Sequence, residues 1–192
     1  SLLMFNEKIL ATYFKDFIPN TLITSKQKDL EIFFQKHKKI IVKPINGMGG
    51  DSIHMITKLE ETEIQTLRIM TDNFTKKIIA QVFLEEIYNG DYRVLVINGK
   101  PFDIALARIP AKGNFKGNLA AGGIGEARKI TDAQKDISKI VGKFLTANGI
   151  SFAGLDFIGN KLTEINITSP TCAREIYNQT GKNPILEFIN NN

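Results

Sequence analysis

The sequence contains no tryptophan, one cysteine and two histidines in 192 residues. A single thiol, Cys172, cannot close an internal disulfide and excludes every zinc framework built from several cysteines, which fits a reducing cytoplasm. His37 and His54 are too few for a histidine-rich metal site. No run approaches the ~18 consecutive apolar residues that a bilayer span requires, and the N-terminus lacks the basic-then-apolar layout of a secretory signal, so no membrane partner is expected. Also missing is any basic block. Lys26, Lys28, Lys36, Lys38 and Lys39 are scattered over helical faces without interleaved aromatics, which argues against nucleic acid as a partner despite 25 basic residues against 20 acidic ones. What remains is an ordinary share of apolar residues, 43%, and of charged ones, 23%, enough for one domain or two small lobes sharing a cleft.

Hydrophobic periodicity predicts helices and strands along the whole chain. Asn6 fits an N-cap for a helix carrying Ile9, Leu10, Tyr13, Phe14 and Phe17 on one stripe, stopped before Pro19. Ser25 reads as the cap of a second helix with Leu30, Phe33 and Phe34 inward, followed by a strand at 40–42. Residues 52–57 read as strand, 60–72 as helix and 77–84 as a buried strand. Asn98-Gly99 closes a hairpin of 91–97 with 100–109. Residues 110–128 read as one long glycine-rich loop, a length that in compact domains commonly marks a functional lid. Thr131 caps an amphipathic helix ending at Asn148-Gly149, two strands meet at Gly159-Asn160, and Pro184 opens a last helix.

Three constellations could carry chemistry. In Lys43-Pro44-Ile45-Asn46-Gly47-Met48-Gly49-Gly50 the lysine precedes the glycines, so this is not a Walker A loop, and a strand rather than a helix follows, so it is not a Rossmann turn. The pattern fits either an ordinary hairpin turn or a backbone cradle for polyphosphate. Asp156, Glu164 and Asn166 sit on two strands joined by a tight turn; Glu164 and Asn166 share a face, ~6.6 Å apart along the strand. A two-residue turn sends Asp156 to the opposite face, whereas a three-residue turn at 159–161 pairs it with Glu164; the second is expected, with a divalent cation bridging the opposed carboxylates. The competing reading is a solvated polar strand face. Asp91, Arg93 and Arg108 fall on one face of the hairpin at Asn98-Gly99. Pairing 93 with 104 would separate the two arginines by about 13 Å along the strand, a spacing for gripping two ends of an anion. Surface salt bridging, for instance Arg93 with Asp91, is the alternative.

The order of these pieces resembles the ATP-grasp superfamily. Three stretches, 43–52, Ala107-Arg108-Ile109-Pro110 continuing through Gly117 to Gly123, and 162–171, are similar to the bacterial glutathione synthetase family. The resemblance runs from about Asn6 to the C-terminal helix. It implies an α+β fold of two α/β lobes with mainly antiparallel sheets enclosing a nucleotide cleft, a small lobe at about 1–83 and a large one at about 84–192. It also implies that the family's further domain, which precedes this segment and contributes to substrate binding, is absent from this chain. The implied activity joins γ-glutamylcysteine to glycine with ATP and Mg²⁺ or Mn²⁺ through an acyl phosphate, in a homo-oligomeric, cytoplasmic parent enzyme. Carried over by the resemblance, Lys8, Lys43 and the flap of Gly47, Met48, Gly49 and Gly50 contact phosphates. Gln81, Val82, Phe83 and Leu84 meet adenine, and Asp91 helps hold the nucleotide. Asp156, Glu164 and Asn166 hold the cation, while Arg93, Arg108, Asn118, Ser169, Pro170 and Thr171 line the acyl-phosphate and dipeptide site. Ile124 departs from the pattern, standing where some relatives carry an arginine. Another ATP-grasp carboxylate–amine ligase and a non-catalytic nucleotide-binding module are the two competing functions.

Overall fold

A computed structural model describes residues 6–46, 52–117, 119 and 122–190. The chain divides into two compact units, Pro19–Leu84 and a larger one combining Ser1–Ile18 with Glu85–Asn192. Short helix α1 (Glu7–Leu10), continued by a 3₁₀ turn at Ala11–Phe14, therefore belongs with the larger unit and not, as expected, with the small lobe. The cause is burial, since Leu10, Ala11 and Ile18 join the larger unit's core. Asn6 caps this helix as the sequence predicts, its side chain accepting from the amides of Lys8 and Ile9 at 3.1 Å each.

The smaller unit is a four-stranded antiparallel sheet of β1 (Thr21–Thr24), β2 (Ile40–Pro44), β3 (His54–Ile56) and β4 (Ile78–Val82), in the order β1-β4-β2-β3. Ile40, Val42, Ile78 and Ala80 turn one face to α2 (Gln27–His37) and α3 (Glu61–Met70), packing with Leu30, Phe34 and Leu67. By the two-residue period, Ile41, Lys43, Ile79 and Gln81 occupy the other face. Ser25 does not cap α2. The N-cap position falls to Lys26, and the hydroxyl that organises the start belongs to Thr24, which accepts from Lys26 N at 3.1 Å and donates to Asp29 at 2.9 Å.

The larger unit is built on β5 (Asp91–Ile97), β6 (Lys100–Pro101), β7 (Ile104–Ile109), β8 (Ile124–Lys129), β9 (Phe152–Ile158) and β10 (Lys161–Asn166). The six-stranded sheet runs β10-β9-β5-β7-β8, with β6 paired to β5. Strand β8 corrects the expectation of one loop over 110–128. Its six residues pair with β7 from Ile109↔Ile124 to Ile104↔Lys129, so the connecting loop ends at 123. One sheet face, with Val94, Val96, Ala105, Leu155 and Phe157, packs on Ile137, Val141 and Leu145 of α4 (Asp132–Ala147). Thr131 and Gln134 form a reciprocal capping box at the start of α4. The other face carries Leu95, Ile97 and Leu106 under Ile176 of α5 (Ala173–Thr180), and Phe188 of α6 (Pro184–Asn190) stacks near Phe152. Helix α4 approaches the hairpin turn so closely that a Cβ on Gly142 would lie 2.2 Å from the carbonyl oxygen of Gly99. Both outer strands are covered. The side-chain amide of Gln179 bonds Ala127 N and Gly125 O along β8, and Phe17 O accepts from Leu162 N along β10. Among the described residues no helix is long and apolar enough to cross a membrane.

Candidate active site

On β9, the Asp156 side chain shares a sheet face with Arg93, which is directly opposite on β5, and with Glu164, directly opposite on β10. Side chains alternate along a strand, so the same face collects Asp91, Arg108 and Asn166. One end of the sheet is thus ionic where its other end, at Leu95, Ile97 and Leu106, is apolar.

The Asp156–Glu164 pairing forms as expected but by a different device. The turn is two residues, with Ile158↔Lys161 and Phe157↔Leu162. Thr163 then bulges, its hydroxyl donating to Asp156 O at 3.1 Å, and this single extra residue restores the pairing of Glu164 with Asp156. The expected spacing of the arginines is overturned. The strand breaks between β6 and β7, which moves the register by two and places Arg93 opposite Leu106 and Asp91 opposite Arg108. The two guanidiniums are therefore two residues apart along the strand direction, ~6.6 Å, and both converge on Asp156.

The cluster is nearly dry. Asp156, Arg93 and Arg108 are only 4%, 6% and 6% exposed. Arg93 grips Asp156 with two donors, Nε to Oδ1 and Nη2 to Oδ2, the second at 2.9 Å, and reaches Thr171 Oγ1 at 3.4 Å with Nη1. Arg108 Nη2 lies 2.6 Å from Asp91 Oδ2 and 3.1 Å from Asp156 Oδ2, as an ion pair without hydrogen-bond angles, while its Nε donates to Asp91 O. Asn166 Nδ2 completes the ring, donating to Gly154 O and Asp156 Oδ2 at 3.3 Å each. Burial by itself would raise the Asp156 pKa, but Arg108 and then Arg93 outweigh it and bring the carboxyl down to about 2. For Asp91 burial wins over Arg108, and the nearby Asp156 charge adds to it, so its pKa rises. Asp91 Oδ1 is buried without a hydrogen-bond partner among the described residues.

Two glycines to which the sequence reading gave no role of their own shape this site. A Cβ on Gly154 would meet Cδ of Arg93 at 2.7 Å and Cβ of Pro170 at 3.1 Å, and one on Gly117 would meet Arg108 O at 2.5 Å and Asp91 Cβ at 3.1 Å. For Gly154 the signal is a glycine inside a strand with no turn to make, which marks close approach. Cys172, at the N-cap of α5, is buried; desolvation raises its thiol pKa despite Arg93 nearby.

Of the other expected residues, Lys43 is buried and shares a face with Gln81, whose amide donates to Thr21 Oγ1 at 2.9 Å. The amides of Val82 and Phe83 donate to Asn20 O and Lys39 O, so these two N–H groups, expected to meet a base, are engaged within the protein. Lys8 lies in the first turns of α1. Gly47, Met48, Gly49, Gly50 and Asn118 lie outside the described residues.

The model of the prokaryotic glutathione synthetase ATP-grasp domain matches residues 7–181. The chain belongs to that family. Among relatives of this glutathione synthetase family, a glutathione synthetase of Citrobacter rodentium is 47% identical over 89% of this chain and 54% of its own length. One from Nitrosomonas europaea is 47% identical over 93% of this chain and 56% of its own. The chain thus spans about half the length of the curated relatives it matches. Solved structures agree on the fold. ATP-grasp ligase PsnB, complexed with a precursor variant, Mg and ADP, superimposes with a TM-score of 0.66 at 18% identity over 96% of this chain and 57% of its own. D-alanine–D-alanine ligase from Bacillus anthracis gives 0.63 at 13% over 96% of this chain and 66% of its own. The family's ATP-grasp fold accounts for the α+β architecture of antiparallel sheets and helices.

Proposed function

We propose that this chain carries the ATP-binding portion of a cytoplasmic ligase that joins γ-glutamylcysteine to glycine, giving glutathione, ADP and phosphate. The observation supporting it is the convergence of Arg93, Arg108, Asp156, Glu164 and Asn166 on one sheet face in a glutathione synthetase family member. A free carboxylate does not react with an amine. The cysteinyl carboxylate of the dipeptide attacks the γ-phosphorus of ATP, the bond to ADP breaks, and an acyl phosphate forms. The glycine amine then attacks the acyl carbon and phosphate leaves. Phosphoryl transfer needs positioning and charge neutralisation rather than a protein nucleophile, and Arg93 and Arg108 supply rigid, permanently charged donors for it.

The side chains fit a hard divalent cation, Mg²⁺ or Mn²⁺. Glu164 is a carboxylate directly opposite Asp156 across the hairpin, and Asn166 offers an amide oxygen on the same face. Both oxygens of Asp156 are held by Arg93 and Arg108, so Asp156 would join the cation as those guanidiniums turn to the phosphates. Among the described residues no three acidic, histidine or cysteine side chains come together to hold a metal by themselves. This suits a cation that takes part of its shell from nucleotide phosphates. Bound there, it would neutralise the phosphate charge that the two arginines also face. Lys8, Lys43, Gln81, Leu84 and Asp91 contact the nucleotide in this reading, and Ser169, Pro170 and Thr171 the dipeptide.

Hydroxylamine trapping tests this in the intact protein. Hydroxamate forms with ATP and γ-glutamylcysteine in the absence of glycine, and glycine diverts the flux to glutathione. ADP release that does not require the dipeptide would sink the proposal. Gly154→Ala supplies a second check. Displacing Arg93 should lower kcat/KM by about 10²-fold in protein that is still folded at the assay temperature, with a lowered thermal transition because the buried Arg93–Asp156 pair is disturbed; unchanged kinetics with a lowered transition would remove Arg93 from the chemistry.

A further inference from the structure

The Glu7 carboxylate plays no part in the reaction outlined above, yet its Oε1 accepts three hydrogen bonds from a segment 160 residues away: Ile167 N at 2.8 Å, Thr168 N at 2.9 Å and Thr168 Oγ1 at 2.8 Å. Strand β10 ends at Asn166, so these two amides lie just past its last ladder position, and a carboxylate stands in for the missing strand. The residue before them is Asn166; those after are Ser169, Pro170 and Thr171. Thr171 touches Arg93, and Pro170 stands against the site beside Gly154.

Glu7 is itself well anchored. Asn6 caps its turn, Leu10 three residues on is 1% exposed, and ten residues on Phe17 O accepts from Leu162 N at the opposite end of β10. The segment from Glu7 to Phe17 is therefore fastened at both ends of β10, and its first fastening falls between the two groups of residues assigned to cation and dipeptide. We infer that Glu7 is a positioning residue. It fixes the backbone at 167–168 and thereby the placement of Asn166 on one side and of 169–171 on the other, and it touches neither ligand.

Because it rests on the cation and dipeptide assignments above, the test separates the two. In the intact protein, Glu7→Ala weakens Mn²⁺ binding in the presence of ADP, followed by electron paramagnetic resonance, by about tenfold, the size of outer-shell losses. KM for γ-glutamylcysteine rises by a similar factor, with kcat much less affected. Glu7→Gln keeps an acceptor oxygen in place and restores both constants. Amide exchange gives an independent readout: Ile167 and Thr168 exchange faster in Glu7→Ala, while Leu155 in the core does not. A Glu7→Ala protein whose Mn²⁺ affinity and KM match the wild type, with only its melting temperature lowered, overturns the inference, as does unchanged protection of Ile167 and Thr168. Wild-type and Glu164→Gln proteins that bind Mn²⁺ equally overturn instead the assignment of the cation site.

Discussion

Asp156→Ala costs the larger unit about 3–5 kcal/mol of stability, the loss that follows when one partner of a buried ion pair is deleted and its counter-charges stay behind. Here two guanidiniums remain, each about nineteen-twentieths buried; Arg108 keeps the Asp91 carboxylate, and Arg93 loses the one it grips with two donors. Urea unfolding measures the effect; a loss under about 1 kcal/mol, the range of exposed pairs, would show that the arginines find water instead. The same ion pairs set an acid limit. The Asp156 carboxyl is depressed from 3.8 to about 2, so its contribution is present above the ordinary value and is lost as pH falls from about 4 to about 2. Asp91 carries the opposite sign, because a raised pKa gives stability at low pH that is lost as pH rises through it. In Asp91→Asn that opposing slope is gone, and only the acid-side loss remains.

Gly142→Ala destabilises by about 2 kcal/mol or more, although alanine in an exposed helix interior ordinarily gains about 1 kcal/mol over glycine. The sign reverses because the atoms in the way are backbone: Gly99 O at 2.2 Å, Gly99 C at 2.7 Å and Gly99 Cα at 3.0 Å from the added Cβ. Gly99 is held at φ 78° in the hairpin turn, so it has no side chain to rotate aside and little freedom to retreat. Denaturant unfolding should show the loss. A stability equal to the wild type would mean that α4 shifts off the turn at no cost, and the core at Val141 and Leu145 would then have to repack.

Face alternation was the most legible part of the site. The placement of Asp91, Arg93 and Arg108 on one side of the sheet follows from the two-residue period alone, and survives a register error because the shift was an even number of residues. The partner of each side chain was not legible. A two-residue break after Pro101 and a one-residue bulge at Thr163 are local events whose energies depend on packing elsewhere, so the arginines looked spread along the strand when they meet at one carboxylate. Strand β8 escaped notice because Ile124-Gly125-Glu126-Ala127-Arg128-Lys129 has one β-branched residue and no clean alternation; pairing with β7 decides it. Glu7 lies beyond local reading altogether, since nothing near it in the sequence announces a contact 160 residues on.

The covering of both flanks of the six-stranded sheet has a consequence for association. A second molecule that tried to extend the sheet from β8 would have to displace the Gln179 amide from Ala127 and Gly125, and from β10 the stretch ending at Phe17. Self-assembly by adding strands is therefore discouraged at the two rims of this sheet.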